Sequence, residues 1–383
     1  GCHDPRRDKN DLEIHQRGIP VNTIHPRPNP IVAAMYTLRD LDVDVIIVHG
    51  PAGCGFMASR MLEEAGIRVV TSALVENDLV FGGSEKLIRT IKESYDRFHP
   101  KTIAVIGTCA SMIIGEDMKA SIRKAGVDSL VFPVDCHGCM GDNTAGATMA
   151  IESARDAGLI SADEASRQIS NMRAATEMEK KFGMASRGYL SPTRGPTKMT
   201  ICKEIITALS EGKKVAVIMI AKKELAYRFA DIFLAIDYAR RKLGGETYFI
   251  ANLDKDKGLP RIRRYCNDIL NELSENDISI DSVIGGLDEY ALSIGEKAKD
   301  SADVFDADLK IIVGMPHAYP ELSPNDILIT DQPRQLANLL NKGFERSLGE
   351  ISSHSMVMGT DHIISMETGD TIRELTDETI SKV

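Results

Sequence analysis

Short unbroken apolar runs recur along the chain, separated by longer mixed stretches. Val45-Ile-Ile-Val48, 103–106 and 215–220 are such runs, and they suit strands buried on both faces, as in a parallel sheet. The mixed stretches between them read as helices. Pro30 opens the first, over 31–40, at a position where its missing N–H costs nothing. The pattern then predicts strand 45–48, helix 57–65, strand 67–71, a loop containing Phe81-Gly-Gly83 and helix 84–97. Strand 102–106, helix 115–125 and strand 130–134 follow. Pro133 cannot donate to a ladder, so that last strand belongs at a sheet edge. Helices over 144–157 and 162–183 lead to a linker, Ser191-Pro-Thr-Arg-Gly-Pro196. A second alternation predicts helix 198–210, strand 214–220, helix 222–242, strand 246–250, helix 259–274, strand 281–285 and helix 289–299. Strands 309–313 and 326–330 and helix 333–342 complete it. The expected class is α/β, with two or more Rossmann-like domains, parallel sheets and right-handed crossovers. The expected divisions are an N-terminal extension (1–24), a first domain (25–143), a helical connection (144–196), a second domain (197–345) and a C-terminal tail (346–383). The chain starts at Gly1 and not at Met, as expected where the true start is missing or processed.

Composition narrows the function classes. The chain is 43% hydrophobic and 27% charged, with a formal charge of -10. That balance builds a core and disfavours general binding to nucleic acid or a membrane surface. No apolar run reaches the length of a membrane span, and the first 25 residues hold no signal-peptide core. Seven cysteines, an odd number scattered over 383 residues, argue against a disulfide framework. They favour free, metal-binding or reactive thiols in a reducing cytoplasm.

Four of those thiols follow predicted strands. Cys54 lies in the loop His49-Gly-Pro-Ala-Gly-Cys-Gly55 after the first strand. Gly50 and Gly55 have the spacing of a phosphate loop, but Phe56 and Met57 stand where its Lys and Ser/Thr would be, so a nucleotide loop is excluded. Cys109 lies in Gly107-Thr-Cys-Ala-Ser111, and Cys136 and Cys139 lie in Asp135-Cys-His-Gly-Cys-Met-Gly-Asp142. All four fall at the sheet edge where open α/β sheets bind ligands. Cys202 and Cys266 fall on predicted helices and read as small hydrophobes. Cys54 and Cys109 read as metal ligands, since thiolates suit zinc or iron–sulfur clusters. A four-thiolate site has two completions: Cys54, Cys109, Cys136 and Cys139 of one chain, or two cysteines from each half of a symmetric dimer. Cys136-x-x-Cys139 alone also fits a redox dithiol.

The runs His25-Pro-Arg-Pro28, Tyr36-Thr-Leu-Arg-Asp-Leu-Asp-Val-Asp44, His49-Gly-Pro-Ala-Gly-Cys54, Val80-Phe-Gly-Gly83 and Gly107-Thr-Cys-Ala-Ser-Met-Ile-Ile-Gly-Glu-Asp117 resemble the nitrogenase component 1 family. With Ile284-Gly-Gly-Leu-Asp-Glu-Tyr290 and Gly314-Met-Pro-His317, the chain is similar to the small archaeal members that act in coenzyme F-430 biosynthesis. The resemblance implies a homodimeric reductase fed by a separate, ATP-hydrolysing iron protein. It implies a [4Fe–4S] cluster held by Cys54 and Cys109, and a nickel tetrapyrrole substrate whose ring is reduced and closed into a lactam. His137 and Asp142-Asn-Thr144 fit the family's stretch after the fourth strand; Cys136 and Cys139 are additions to it.

Such a reaction needs proton donors, and His137, His49 and Asp135 are the candidates, with Glu116 behind them. Loop acids and histidines also cap helices, so Glu116 and Asp117 have that plainer reading. A polycarboxylate substrate calls for arginine and histidine contacts. His25 and Arg27 in the stiff proline segment come first, then His317; Arg187, Arg194 and Arg334 are weaker. Two other readings stand beside the reductase: a non-catalytic cluster scaffold or redox sensor, and a reductase of another tetrapyrrole.

Overall fold

The computed structural model describes residues 29–182, 195–350 and 360–381. His25, Arg27, Arg187 and Arg194 lie outside the described residues. The strands form two all-parallel sheets, and the α/β class expected from the apolar runs holds. In the first sheet Val45–Val48 (β1) lies between Arg68–Thr71 (β2) and Thr102–Ile106 (β3), and Leu130–Val134 (β4) is the edge strand beside β3. The edge is where Pro133 belongs, because its missing donor leaves no partner strand unpaired.

Burial on both faces explains why these strands carry almost no polar residue. Val45, Ile47, Ile103 and Val105 pack with Leu87 and Ile91 of helix Ser84–Phe98. Their neighbours Ile46, Val48, Ala104 and Ile106 face the other way and pack with Met35 and Leu38 of helix Pro30–Asp40. That is the two-residue period of a strand with apolar partners on each side. Each such side chain contributes about 1.5–3 kcal/mol of burial. Helix Pro30–Asp40 is started by the Asn29 side chain, which accepts from the Val32 amide at 2.9 Å. Helix Asn143–Asp156 packs directly across it. A Cβ on Gly146 would lie 1.9 Å from the Pro30 carbonyl oxygen, so only glycine allows the crossing.

The second sheet has the order Ser347–Gly349 (β10), Ile327–Thr330 (β9), Leu309–Gly314 (β8), Lys214–Ile220 (β5), Glu246–Ala251 (β6), Ser282–Val283 (β7). Three expectations change here. The strand expected at 281–285 shortens to two residues, because the chain turns away at Gly285, whose φ is 152°. The helix expected at 222–242 is two helices, Ala226–Phe229 and Asp231–Leu243. The stretch expected as a tail instead supplies β10 and a helix, Glu367–Ile380. The buried face of that helix includes Thr368, Thr371 and Thr376 beside Ile372 and Leu375, so its apolar period is faint in sequence. Its start is held by Glu350, which accepts from the Glu367 amide at 3.0 Å and the Thr368 hydroxyl at 2.7 Å. Asp231 accepts from the Met366 amide at 2.9 Å and pairs with Arg373.

One apolar cluster runs continuously from helix Pro30–Asp40 to the helices under the second sheet, joining Leu38 to Cys202, Ile205 and Phe233. Charged pairs close the seam around it. Lys223 pairs with buried Asp40, Arg261 with Asp42 at 2.8 Å, and Arg167 with Asp288 at 2.8 Å. Among the described residues, no helix is long and apolar enough to cross a membrane.

Candidate metal centre

In the first sheet the chain leaves β1 to build β2 on one side and then returns to build β3 on the other. The carboxyl ends of β1 and β3 therefore form a topological switch point, the place where open α/β sheets bind ligands. Cys54 follows β1 in a short 3₁₀ turn, Ala52–Cys54, and Cys109 opens the helix Cys109–Ile113 after β3.

The two loops are keyed together beneath the thiols. The Thr108 hydroxyl donates to the His49 carbonyl at 3.0 Å, and the Thr108 amide donates to the Ser111 hydroxyl at 2.8 Å, starting the helix. A Cβ on Gly50 would lie 2.3 Å from the Thr108 hydroxyl, and one on Gly55 2.9 Å from Val48. These two glycines are there for packing between strand ends. Gly53, by contrast, has nothing within 4 Å of its would-be Cβ, so the loop is open beside Cys54.

His49 lies under this floor and is wholly buried. Its Nδ1 is 2.9 Å from the Ser72 hydroxyl and its Nε2 is 3.5 Å from Glu116. Burial lowers its pKa, against the pull of the Glu116 carboxylate. Glu116 also accepts from the Gly83 amide, and Asp117 caps helix Met118–Ala125 by accepting from the Ala120 amide at 2.9 Å. Two of the acids and histidines singled out in sequence are thus internal braces. Ser72 and Thr108 went unremarked, because a lone hydroxyl in a loop has no signature until its partner is placed.

The four thiols divide. Cys54 and Cys109 are half-buried, Cys139 is exposed and Cys136 is buried. The Cys139 Sγ is 3.6 Å from that of Cys109. A hydrogen bond to Cys109 and the charge of Cys109 raise the pKa of Cys139. Burial first, then the charge of Cys109, raises that of Cys54. Cys136 packs into the main apolar cluster, and burial, with the charges of Asp135 and Cys109, pushes its thiol up to about 12. His137 joins Cys109 and Cys139 in a group whose ligand atoms lie within 4.8 Å of one another. Asp135 is exposed. Cys202 and Cys266 are fully buried, as small hydrophobes should be.

Large apolar side chains are exposed on the segments that follow β1, β2 and β3: Phe56 (74% exposed), next in sequence to the Cys54 loop, Val80 (75%) and Phe81 (86%) after β2, and Ile113 (76%) on the helix that Cys109 opens. Phe81, expected in a loop, ends a helix, Glu76–Phe81, with no buried face.

His317 lies elsewhere, after β8 at the carboxyl edge of the second sheet. Its ring is at the surface, yet the surrounding protein and then the Lys222 charge lower its pKa to about 4. Solvent moderates the size of that shift; its direction keeps the ring neutral at neutral pH. Arg334 is exposed on helix Pro333–Asn341.

Residues 30–169, which hold both strand-end cysteine loops, match the family described as nitrogenase component 1 type oxidoreductase. Over nearly its whole length the chain is similar to component CfbD of the Ni-sirohydrochlorin a,c-diamide reductive cyclase complex. It is 45% identical to the protein from Methanosarcina acetivorans, over 94% of this chain and 98% of that protein. It is 42% identical to the one from Methanothermobacter thermautotrophicus, over 91% and 98%. The chain belongs to this CfbD family of enzyme subunits. A solved nitrogenase Cp1 structure covers 95% of this chain and 89% of its own at 15% identity, but the TM-score of 0.34 is too low to bear on the argument.

Proposed function

We propose that this chain is the catalytic subunit of a Ni-sirohydrochlorin a,c-diamide reductive cyclase in coenzyme F-430 biosynthesis. In this reading it takes electrons from an ATP-dependent iron protein through a [4Fe–4S] cluster, and it reduces and cyclises the nickel tetrapyrrole. The observation that carries the reading is the 45% identity over 94% of the chain to a relative with that name. The site supports it. Cys54 and Cys109 are partly exposed thiols at a switch point, each near enough for one to feel the other's charge, and Gly53 leaves open space beside them. That donor set fits an iron–sulfur cluster, which relieves the repulsion between adjacent thiolates. When bound, the cluster supplies one-electron transfer.

Two thiolates per chain call for a second chain to complete four. Phe56, Val80, Phe81 and Ile113 form the apolar face on which we place a second copy, making a homodimer with the cluster on its axis. Phe81→Asp with Ile113→Asp then yields a monomer by light scattering. Cys136 is a neutral packing thiol in this arrangement. Of the proton-donor candidates, Asp135 is exposed and His137 half-buried, while His49 is buried and braces the floor. His317, neutral at neutral pH, serves the substrate as a hydrogen-bonding partner, with His25 and Arg27 assigned to its carboxylates.

The test is anaerobic turnover of Ni-sirohydrochlorin a,c-diamide with the reductase partner and ATP. Formation of the reduced, cyclised product supports the reading. A cluster-bearing, folded protein that neither binds nor converts that tetrapyrrole overturns it.

A further inference from the structure

The thiol–imidazole group beside the cluster ligands carries a separate inference. We propose that Cys109, His137 and Cys139 form an intrachain site for a single thiophilic divalent ion of the zinc class, occupied when no cluster is present. The site shares Cys109 with the cluster reading but needs neither a cluster nor a second chain.

Geometry comes first. The three ligand atoms lie within 4.8 Å of one another, and the two sulfurs are 3.6 Å apart. A tetrahedral ion with sulfur at about 2.3 Å and nitrogen at about 2.0 Å holds its donors roughly 3.5–3.8 Å from each other. The sulfurs already have that spacing. The turn that presents them is closed on itself: the Met140 amide donates to the His137 carbonyl at 3.3 Å, and the His137 amide lies 3.4 Å from the Met140 sulfur. Gly138 at its centre comes so close that a Cβ would sit 3.4 Å from the Cys109 sulfur.

The second observation is the imidazole. His137 Nδ1 is buried and has no hydrogen-bond partner, an uncommon state for a buried polar atom. A thiol–thiol hydrogen bond accounts for the sulfur contact but leaves that nitrogen unexplained. A metal ion accounts for a ring held here against two sulfurs. Two thiolates and an imidazole select zinc-like ions over magnesium or calcium. Exposed Cys139 puts the group in contact with solvent, so an ion has a way in, and the fourth position stays open. Binding releases the thiol protons to water.

The experiment uses the full-length chain, stripped of iron by a chelator, kept reduced under argon and titrated with Co²⁺ as the spectroscopic probe. The expected result is a stoichiometric equivalent of cobalt with thiolate charge-transfer bands and the intense visible bands of tetrahedral geometry, displaced by Zn²⁺. Cys139→Ser and His137→Ala each weaken binding at least about tenfold, whereas Cys136→Ala leaves it unchanged. Cys54→Ala also leaves it unchanged while losing iron–sulfur incorporation, which separates this site from the cluster reading. Absence of the charge-transfer bands from a chain with native circular dichroism overturns the proposal. So does binding that survives both Cys139→Ser and His137→Ala, or that is lost in Cys54→Ala.

Discussion

The carboxyl edges of the two sheets are topologically alike and chemically unlike. In each, the first strand sits inside the sheet, with the next strand on one side and a later one on the other: β1 between β2 and β3, β5 between β6 and β8. In each, one polar side chain ties the strand ends together. At the first edge Thr108 bonds the His49 carbonyl at 3.0 Å. At the second, buried Asn252 accepts from the Ala221 amide at 2.9 Å and donates to the Ala221 carbonyl at 2.8 Å. In each, a glycine permits the approach. Gly50 makes room for Thr108, and Gly314, with φ 101°, would place a Cβ 2.2 Å from the Ile220 carbonyl. Above these similar floors the first edge carries Cys54, Cys109 and Cys139, with exposed Phe56, Phe81 and Ile113. The second carries Lys222, Lys223 and His317. The topology supplies two equivalent places, and the loops give one a group of thiols and the other a polar surface.

The comparison can be broken most severely at the thiols. Cys54→Ala or Cys109→Ala abolishes both the cluster and turnover, read by iron and sulfide analysis and product formation; Lys222→Ala at the other edge leaves iron content intact. A full cluster surviving either cysteine change would falsify the ligand assignment. The glycines come next. Gly314→Ala meets backbone at a left-handed φ and costs at least about 3 kcal/mol, while Gly50→Ala meets a side chain and costs about 1–3 kcal/mol, both measured by denaturant unfolding. Equal losses would show that the floors are stiffened alike. Asn252→Ala strands a buried amide and a buried carbonyl and costs about 1–3 kcal/mol; Thr108→Val removes a single bond and a helix cap and costs about 1 kcal/mol.

The smallest effect is in pH. His49 has its pKa lowered by burial, so the unfolded chain takes up the proton first as pH falls. Its contribution is complete above the unfolded value of about 6.5 and is lost as pH drops below that toward the folded value. Melting temperature therefore falls more steeply below pH ~6.5 in the unmodified protein than in His49→Gln. Parallel curves would mean that His49 titrates alike in the folded and unfolded chain.

Much of this was legible because the strands are buried on both faces. Val45–Val48, 103–106 and 215–220 are so uniformly apolar that their positions, and the loops at their ends, follow from the sequence. Cys54 and Cys109 could be placed at strand ends for the same reason. What failed to show was whatever depends on a partner distant in the chain. Cys136 and Cys139 look equivalent in sequence, yet Cys136 packs in the core and Cys139 meets Cys109, a partner from another strand end. His49 looks like a loop proton donor until Ser72 and Glu116 close over it. Helix Glu367–Ile380 was missed because threonines carry half of its buried face.

In the function proposed above, the first edge holds half of a metal centre, completed by a second copy of the chain. Iron and acid-labile sulfide per chain, measured on protein purified without oxygen, test it most directly. The expected result is half a [4Fe–4S] cluster per chain, about two iron and two sulfide, in a dimer. A whole cluster on each chain of a monomer would contradict it.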